Sequence, residues 1–136
     1  MDNTLNAASA IAGLLSLTVQ ITQATQGYIS RVTSLSYAAT SYLEELVCLK
    51  KLLADAQDAL LFQSQSLSMP LPRELGEFHA EMEQLCERLR DAQRNRTSEA
   101  LKSLVWPFRD DETAQWASSL GRCRQCIQAA VVLSGL

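Results

Sequence analysis

The chain has 136 residues, 47% of them hydrophobic and 20% charged, enough to bury one core and too apolar for wholesale disorder. Twelve Lys and Arg against fifteen Asp and Glu leave a net charge of −3, which excludes a general nucleic-acid binder because that needs a strong positive field. Five Gly, three Pro and 6% aromatic residues are too few for a many-turned β fold or a base-stacking platform, so an all-α fold is expected.

Between Asp2 and Arg31 no side chain is charged. The hydrophobic period predicts a first helix from about Thr4 to about Thr33. One apolar stripe runs through Leu5, Ala8, Ala12, Leu15, Val19 and Thr22. Another runs through Ala7, Ile11, Leu14, Leu17 or Thr18, Ile21 and Thr25. A helix apolar on more than one side is either deeply buried or meant for lipid. A secretion signal opens on basic residues, and none precedes Arg31, so no leader is expected. As a lone membrane span, Leu5 to Ile21 falls short of the roughly 20 mostly apolar residues that ~30 Å of hydrocarbon requires. Its Ser and Thr hydroxyls are of the kind that bond to the helix backbone. Ser9 and Gly13, or Ala12 and Ser16, have the small-xxx-small spacing that favours helix association within lipid. The segment suits an assembly of several copies better than a solitary anchor.

A second helix is predicted from about Ala38 to Phe62, with Tyr42, Leu46, Leu49, Leu53, Ala56 and Leu60 on its inner face. Pro70 and Pro72 then mark a loop. A third helix is predicted from about Arg73 to Arg94. Leu71, Leu75, Phe78, Met82, Leu85, Leu89 and Ala92 alternate by four and three, a seam suited to a near-antiparallel neighbour. Its start is acidic and its end basic, which complements the helix dipole. A linker follows, whose middle from Ser98 to Leu104 has the composition of a short extra helix, stopped by Pro107. Asp110 or Asp111 is expected to cap a last helix running to about Leu133, with Trp116, Leu120, Cys123, Ile127 and Ala130 or Val131 facing inward. The expected architecture is an antiparallel four-helix bundle, one domain over residues 1–136.

Convergent chemistry is scarce. The one histidine, His79, stands on a bundle helix, where a surface or boundary position is the expectation. Gly-rich phosphate loops, G-x-S-x-G and H-E-x-x-H are absent from the sequence, so no catalytic residue, metal ligand or cofactor is assigned. Cys123 and Cys126 form a C-x-x-C, but mid-helix rather than at the helix start that thioredoxin-type chemistry uses. A zinc site would need Cys48, Cys86 or His79 to converge on them. Buried, reduced cysteines are expected instead. Arg88, Arg90, Arg94, Arg96, Lys102 and Arg109 make a locally basic stretch, read either as a solvated helix end or as a contact for anionic lipid headgroups at about 1 kcal/mol per residue.

Two separated blocks, ASAIAGLLSLTVQI at the start and KSLVWPFRDDE before the last helix, resemble fungal HeLo-like domains. Those domains commonly open on a similar Ala/Ser-rich run and carry a "KLKWPF"-like block followed by acidic residues. The likeness extends over nearly the whole chain, and it gives Trp106, Pro107 and Phe108 a structural role. The resemblance implies a helical bundle at the N-terminus of a longer immune-type receptor, related to the HeLo domain of the HET-S system and to the bundle of the mixed-lineage kinase-like executioner of necroptosis. It implies regulated cell death: oligomerisation, relocation from cytoplasm to plasma membrane, and permeabilisation by the first helix. The matching executioner segment is Leu5 to Ile21, with Ile11, Gly13, Leu14, Leu15, Leu17 and Val19 within it. The chain departs from the family around TSLSYAAT, where relatives often have an Asp-Ala-Pro-Lys-like turn, so Ser34 to Ala38 are expected to make a different corner.

Two functional classes therefore stand side by side. One is a membrane-active effector that meets anionic lipid as a homo-oligomer. The other is a non-lytic helical module that recruits a partner or other receptor domains through exposed helix faces.

Overall fold

The structure, a computed structural model, describes residues 3–30, 32–63, 72–94 and 106–133, and side chains within 8–30, 32–59, 74–94 and 106–132. The helices are α1 (Asn3–Ile29), α2 (Tyr37–Gln63), α3 (Pro72–Arg94) and α4 (Asp110–Leu133). They form the expected all-α antiparallel bundle, consecutive helices running in opposite directions. Around its axis the order is α1, α2, α4, α3. The close pairs α1/α3 and α2/α4 are therefore parallel. Ser9 and Gly13 lie beside Leu75 and His79 while Gln20 meets Arg90, and Ala38 lies near Ala114 while Glu45 reaches Arg124. The α3/α4 seam carries the sparsest packing of the four.

Local chemistry sets the ends. Ser36 caps α2, its Oγ accepting the Ala39 amide at 3.2 Å. Pro72 opens α3 at the position where a missing N–H is harmless. Two boundaries differ from the sequence reading. α1 ends at Ile29, not Thr33, because the Val32 amide closes a tight turn on the Ile29 carbonyl at 3.0 Å. Asp110 and Asp111 sit inside the first turn of α4 rather than before it; the Arg109 carbonyl takes the Thr113 amide, and the Asp111 carboxylate takes only its neighbour's, Glu112. There the two acids act on the helix dipole. The expected short helix from Ser98 to Leu104 lies outside the described residues.

Of the two stripes on α1, the second is the core stripe. Ile11, Leu14, Thr18, Ile21, Thr25 and Tyr28 are buried. Ala8, Ser9, Ser16, Gln23 and Gln26 are exposed on the opposite side. On α2, Tyr42, Leu46, Leu49, Leu53 and Ala56 are buried as expected. On α3, Leu75, Met82, Leu85 and Leu89 are buried, with Phe78 and Ala92 partly so. On α4, Leu120, Cys123, Ile127 and Ala130 are buried, with Trp116 and Val131 partly so. The Leu60 and Leu71 side chains lie outside the described ones. Each fully buried Leu or Ile stabilises the fold by about 1.5–3 kcal/mol.

An aromatic cluster closes the end of the bundle where α1 and α3 finish. The Phe108 ring stacks edge-on against Tyr28 (5.3 Å between centroids), Trp106 (5.3 Å) and Trp116 (5.0 Å), and Tyr42 lies against Trp106 and Trp116. The polar tips of Tyr28, Tyr42 and Trp106 are engaged. The Trp106 indole donates to Thr113 Oγ1, which donates to the Arg109 carbonyl; the Tyr28 hydroxyl donates to the Leu89 carbonyl at 2.6 Å. Trp106 and Phe108 are thus buried parts of the core, while Pro107 between them faces solvent.

Candidate functional site

The first helix is the candidate, and its sequence explains how it lives in water without charge. Its buried hydroxyls bond inside the protein: Thr18 donates to the Leu14 carbonyl at 2.7 Å, Thr22 to the Thr18 carbonyl at 2.7 Å, and Thr25 shares a 2.7 Å bond with the Tyr42 hydroxyl. Among the described residues no buried polar side chain is without a partner. The exposed face carries small hydroxyls and amides, Ser9, Ser16, Gln23 and Gln26.

The eight residues assigned to the membrane-active helix divide by burial. Ile11, Leu14 and Ile21 are fully enclosed in the core. Gly13, Leu15, Leu17 and Val19 are partly covered, with Leu15 and Leu17 packed on the core. Leu5 is on α1, its side chain outside the described ones. Gly13 faces His79 of α3, and a Cβ there would make an ordinary contact with its ring at 3.6 Å. His79 is a boundary residue, its Nδ1 3.0 Å from Glu83. No described helix is long and apolar enough to cross a membrane.

The basic stretch gathers at the aromatic end, on the last turns of α3 and just before α4. Every described member has a partner. Arg88 meets Glu112 at 2.8 Å and stacks over Phe108 at 5.2 Å; Arg90 donates to Gln20 at 2.8 Å; Arg94 meets Asp91 at 3.3 Å; Arg109 meets Asp111 at 3.2 Å. The surface there is of mixed sign rather than a bare cationic patch. Arg96 and Lys102 lie outside the described residues.

The cysteines are unlike a reactive pair. Burial pushes the Cys123 thiol up to about 12. Burial, then a hydrogen bond to Glu74, pushes Cys126 up to about 11. Both stay protonated near neutrality, whereas a nucleophile or metal ligand must be a thiolate. Among the described residues no group of three or more His, Cys, Asp or Glu is placed to hold a metal.

The sequence reading missed one feature that was legible. Along the α3/α4 seam, Glu74, Glu81 and Arg88 face Cys126, Ser119 and Glu112, each row spaced by seven. That is the flanking register of an antiparallel coiled coil. In comparisons with family models, curated proteins and solved structures, nothing matches this chain.

Proposed function

We propose that this bundle is the stored form of a membrane-active cell-death effector. In this reading it rests in the cytoplasm as part of a longer immune-type receptor. On activation it self-associates, reaches the plasma membrane, and presents α1 to the bilayer. The observation that carries the reading is the composition of α1: 27 helical residues without a charge, its Thr18 and Thr22 hydroxyls satisfied on its own backbone. Such a helix leaves those polar groups paired wherever it goes, which hydrocarbon requires. Because no described helix spans a membrane alone, insertion falls to several copies packed through small residues such as Ala12 and Ser16. The HeLo-like opening run and the WPF block support the same reading.

Arg88, Arg94 and Arg109 serve anionic headgroups only by exchanging carboxylate partners for phosphate, a trade of one charged partner for another, whereas Arg90 gives up the neutral Gln20 amide. The test is the purified domain mixed with dye-loaded vesicles, anionic or neutral. Leakage from anionic vesicles at micromolar protein is expected. Self-association with no lipid response would instead establish a non-lytic interaction module.

A further inference from the structure

The four seams of the bundle are not closed by the same chemistry. The α2/α4 seam is the most extensive, and Arg124 grips Glu45 across it with two bonds, 2.8 and 3.1 Å, beside an outer groove of about 530 Å³ lined by Ala38, Ala117 and Gly121. The α1/α3 seam is the second most extensive and is tied at one end by the Tyr28 hydroxyl on the Leu89 carbonyl. The α1/α2 seam holds the buried Thr25–Tyr42 bond. The α3/α4 seam differs. Its ties are the surface contacts Arg88–Glu112, Ser119–Glu81, Arg122–Glu81 at 3.9 Å and Cys126–Glu74 at 3.1 Å. Exposed pairs of this kind contribute little each, and salt screens them. Between them runs a groove of about 510 Å³ whose lining includes Leu85 and Trp116, no larger than the one beside α2/α4; the sparse packing of the two helices is what sets this seam apart.

The two ends of this seam are also unequal. At the aromatic end, Arg88 is held by both Glu112 and the Phe108 ring, and Phe108 stacks on Tyr28 of α1 and Trp116 of α4. At the opposite end, a described polar contact across the seam is the Cys126 thiol on Glu74.

We infer that the bundle has a built-in opening edge: the α1/α3 pair parts from the α2/α4 pair along the α3/α4 seam, starting at the Glu74–Cys126 end and hinged on the aromatic cluster. Opening there bares Cys123 and Ile127 on α4 and Leu75 and Met82 on α3, and it uncovers the level of α1 that holds Ile11 and Leu14. It breaks exposed polar ties and leaves the aromatic cluster intact. The inference concerns the free protein and does not rest on the membrane reading.

Cys123 reports the event, because it is buried on the α3 flank of α4 beside Glu81. Thiol labelling in native buffer, resolved by peptide mass spectrometry, is compared at two enclosed places: natural Cys123 on α4, and Ala39→Cys on α2. Global unfolding is measured in parallel by denaturant. Cys123 is expected to label at least tenfold faster than Ala39→Cys and faster than global unfolding allows. The double variant Glu74→Ala/Glu81→Ala, which removes the ties at the opening end and leaves Arg88–Glu112 in place, is expected to raise the Cys123 rate by roughly three- to tenfold, beyond any change in global stability. Labelling of both sites at one common rate, equal to that of global unfolding, would overturn the inference, as would an unchanged Cys123 rate in the double variant. If the seam opens and vesicles nevertheless stay sealed, the opening stands and the membrane reading falls.

Discussion

Ser16→Asp separates what α1 does in the bundle from what it does in lipid. Ser16 lies near the midpoint of α1, on its exposed face, and among the described residues its side chain accepts a 3.4 Å bond from Gln20 further along the same face. In water an exposed substitution of this kind shifts stability by no more than about 0.5 kcal/mol. At the centre of a membrane-inserted helix an Asp costs about 2.5–3.5 kcal/mol. At 1.4 kcal/mol per decade, that is about a hundredfold in the insertion equilibrium for each copy. Denaturant unfolding should therefore give the wild-type midpoint, while the protein concentration that half-empties anionic vesicles should rise by about a hundredfold or leakage should vanish. Leakage at the wild-type concentration from a stably folded Ser16→Asp protein would refute insertion of α1. Leu15 and Leu17, the more obvious apolar targets, are poorer choices because both pack on the core, so a charge there would perturb the bundle as well.

Other outcomes follow from the packing. Phe108→Ala removes the ring on which Tyr28, Trp106, Trp116 and Arg88 converge, and should lower stability by about 3–5 kcal/mol in denaturant unfolding. Thr25→Val leaves the buried Tyr42 hydroxyl without this partner and should cost about 1–3 kcal/mol; adding Tyr42→Phe should recover part of that loss, and equal, additive losses would mean the bond contributes nothing. Alkali should weaken the fold through the thiols. Cys123 titrates near 12 when folded against a reference of 9.0, so its contribution is whole below pH 9 and is lost between 9 and 12 as the unfolded chain releases its proton first. The unfolding midpoint should fall above pH 9 at up to about 1.4 kcal/mol per pH unit from this thiol, and Cys123→Ala should flatten that slope.

How much of this was legible follows from the residues themselves. The inner faces of the last three helices were readable because their apolar side chains recur at three and four, and one face alone is apolar. The first helix was ambiguous for the opposite reason: without charges to mark the water side, both stripes looked alike, and the choice between Leu17 and Thr18 stayed open. Tertiary contacts decided it for Thr18, whose hydroxyl is satisfied on Leu14 and so tolerates full burial. The helix order around the axis was not readable at all, since a heptad seam says that a neighbour exists and not which one. Tyr28 and Tyr42 gave no sign that they would meet Trp106 and Phe108, because that cluster is built from four separate stretches of chain. The arginines near the end of α3 read as a basic patch because the sequence shows charges in a row, whereas partners come from elsewhere: Glu112 lies 24 positions from Arg88, and Gln20 lies 70 from Arg90.

The most direct test of α1 as the membrane-seeking element is where residue 16 goes. A fluorophore attached through Ser16→Cys, in a Cys48→Ser/Cys123→Ala/Cys126→Ser background, is mixed with anionic vesicles carrying quenchers at the bilayer centre. In free solution the exposed site keeps the fluorophore in water. Insertion requires that bound protein show strong quenching by the central quenchers together with vesicle leakage. A fluorophore that stays in water while the protein is bound would contradict insertion of α1.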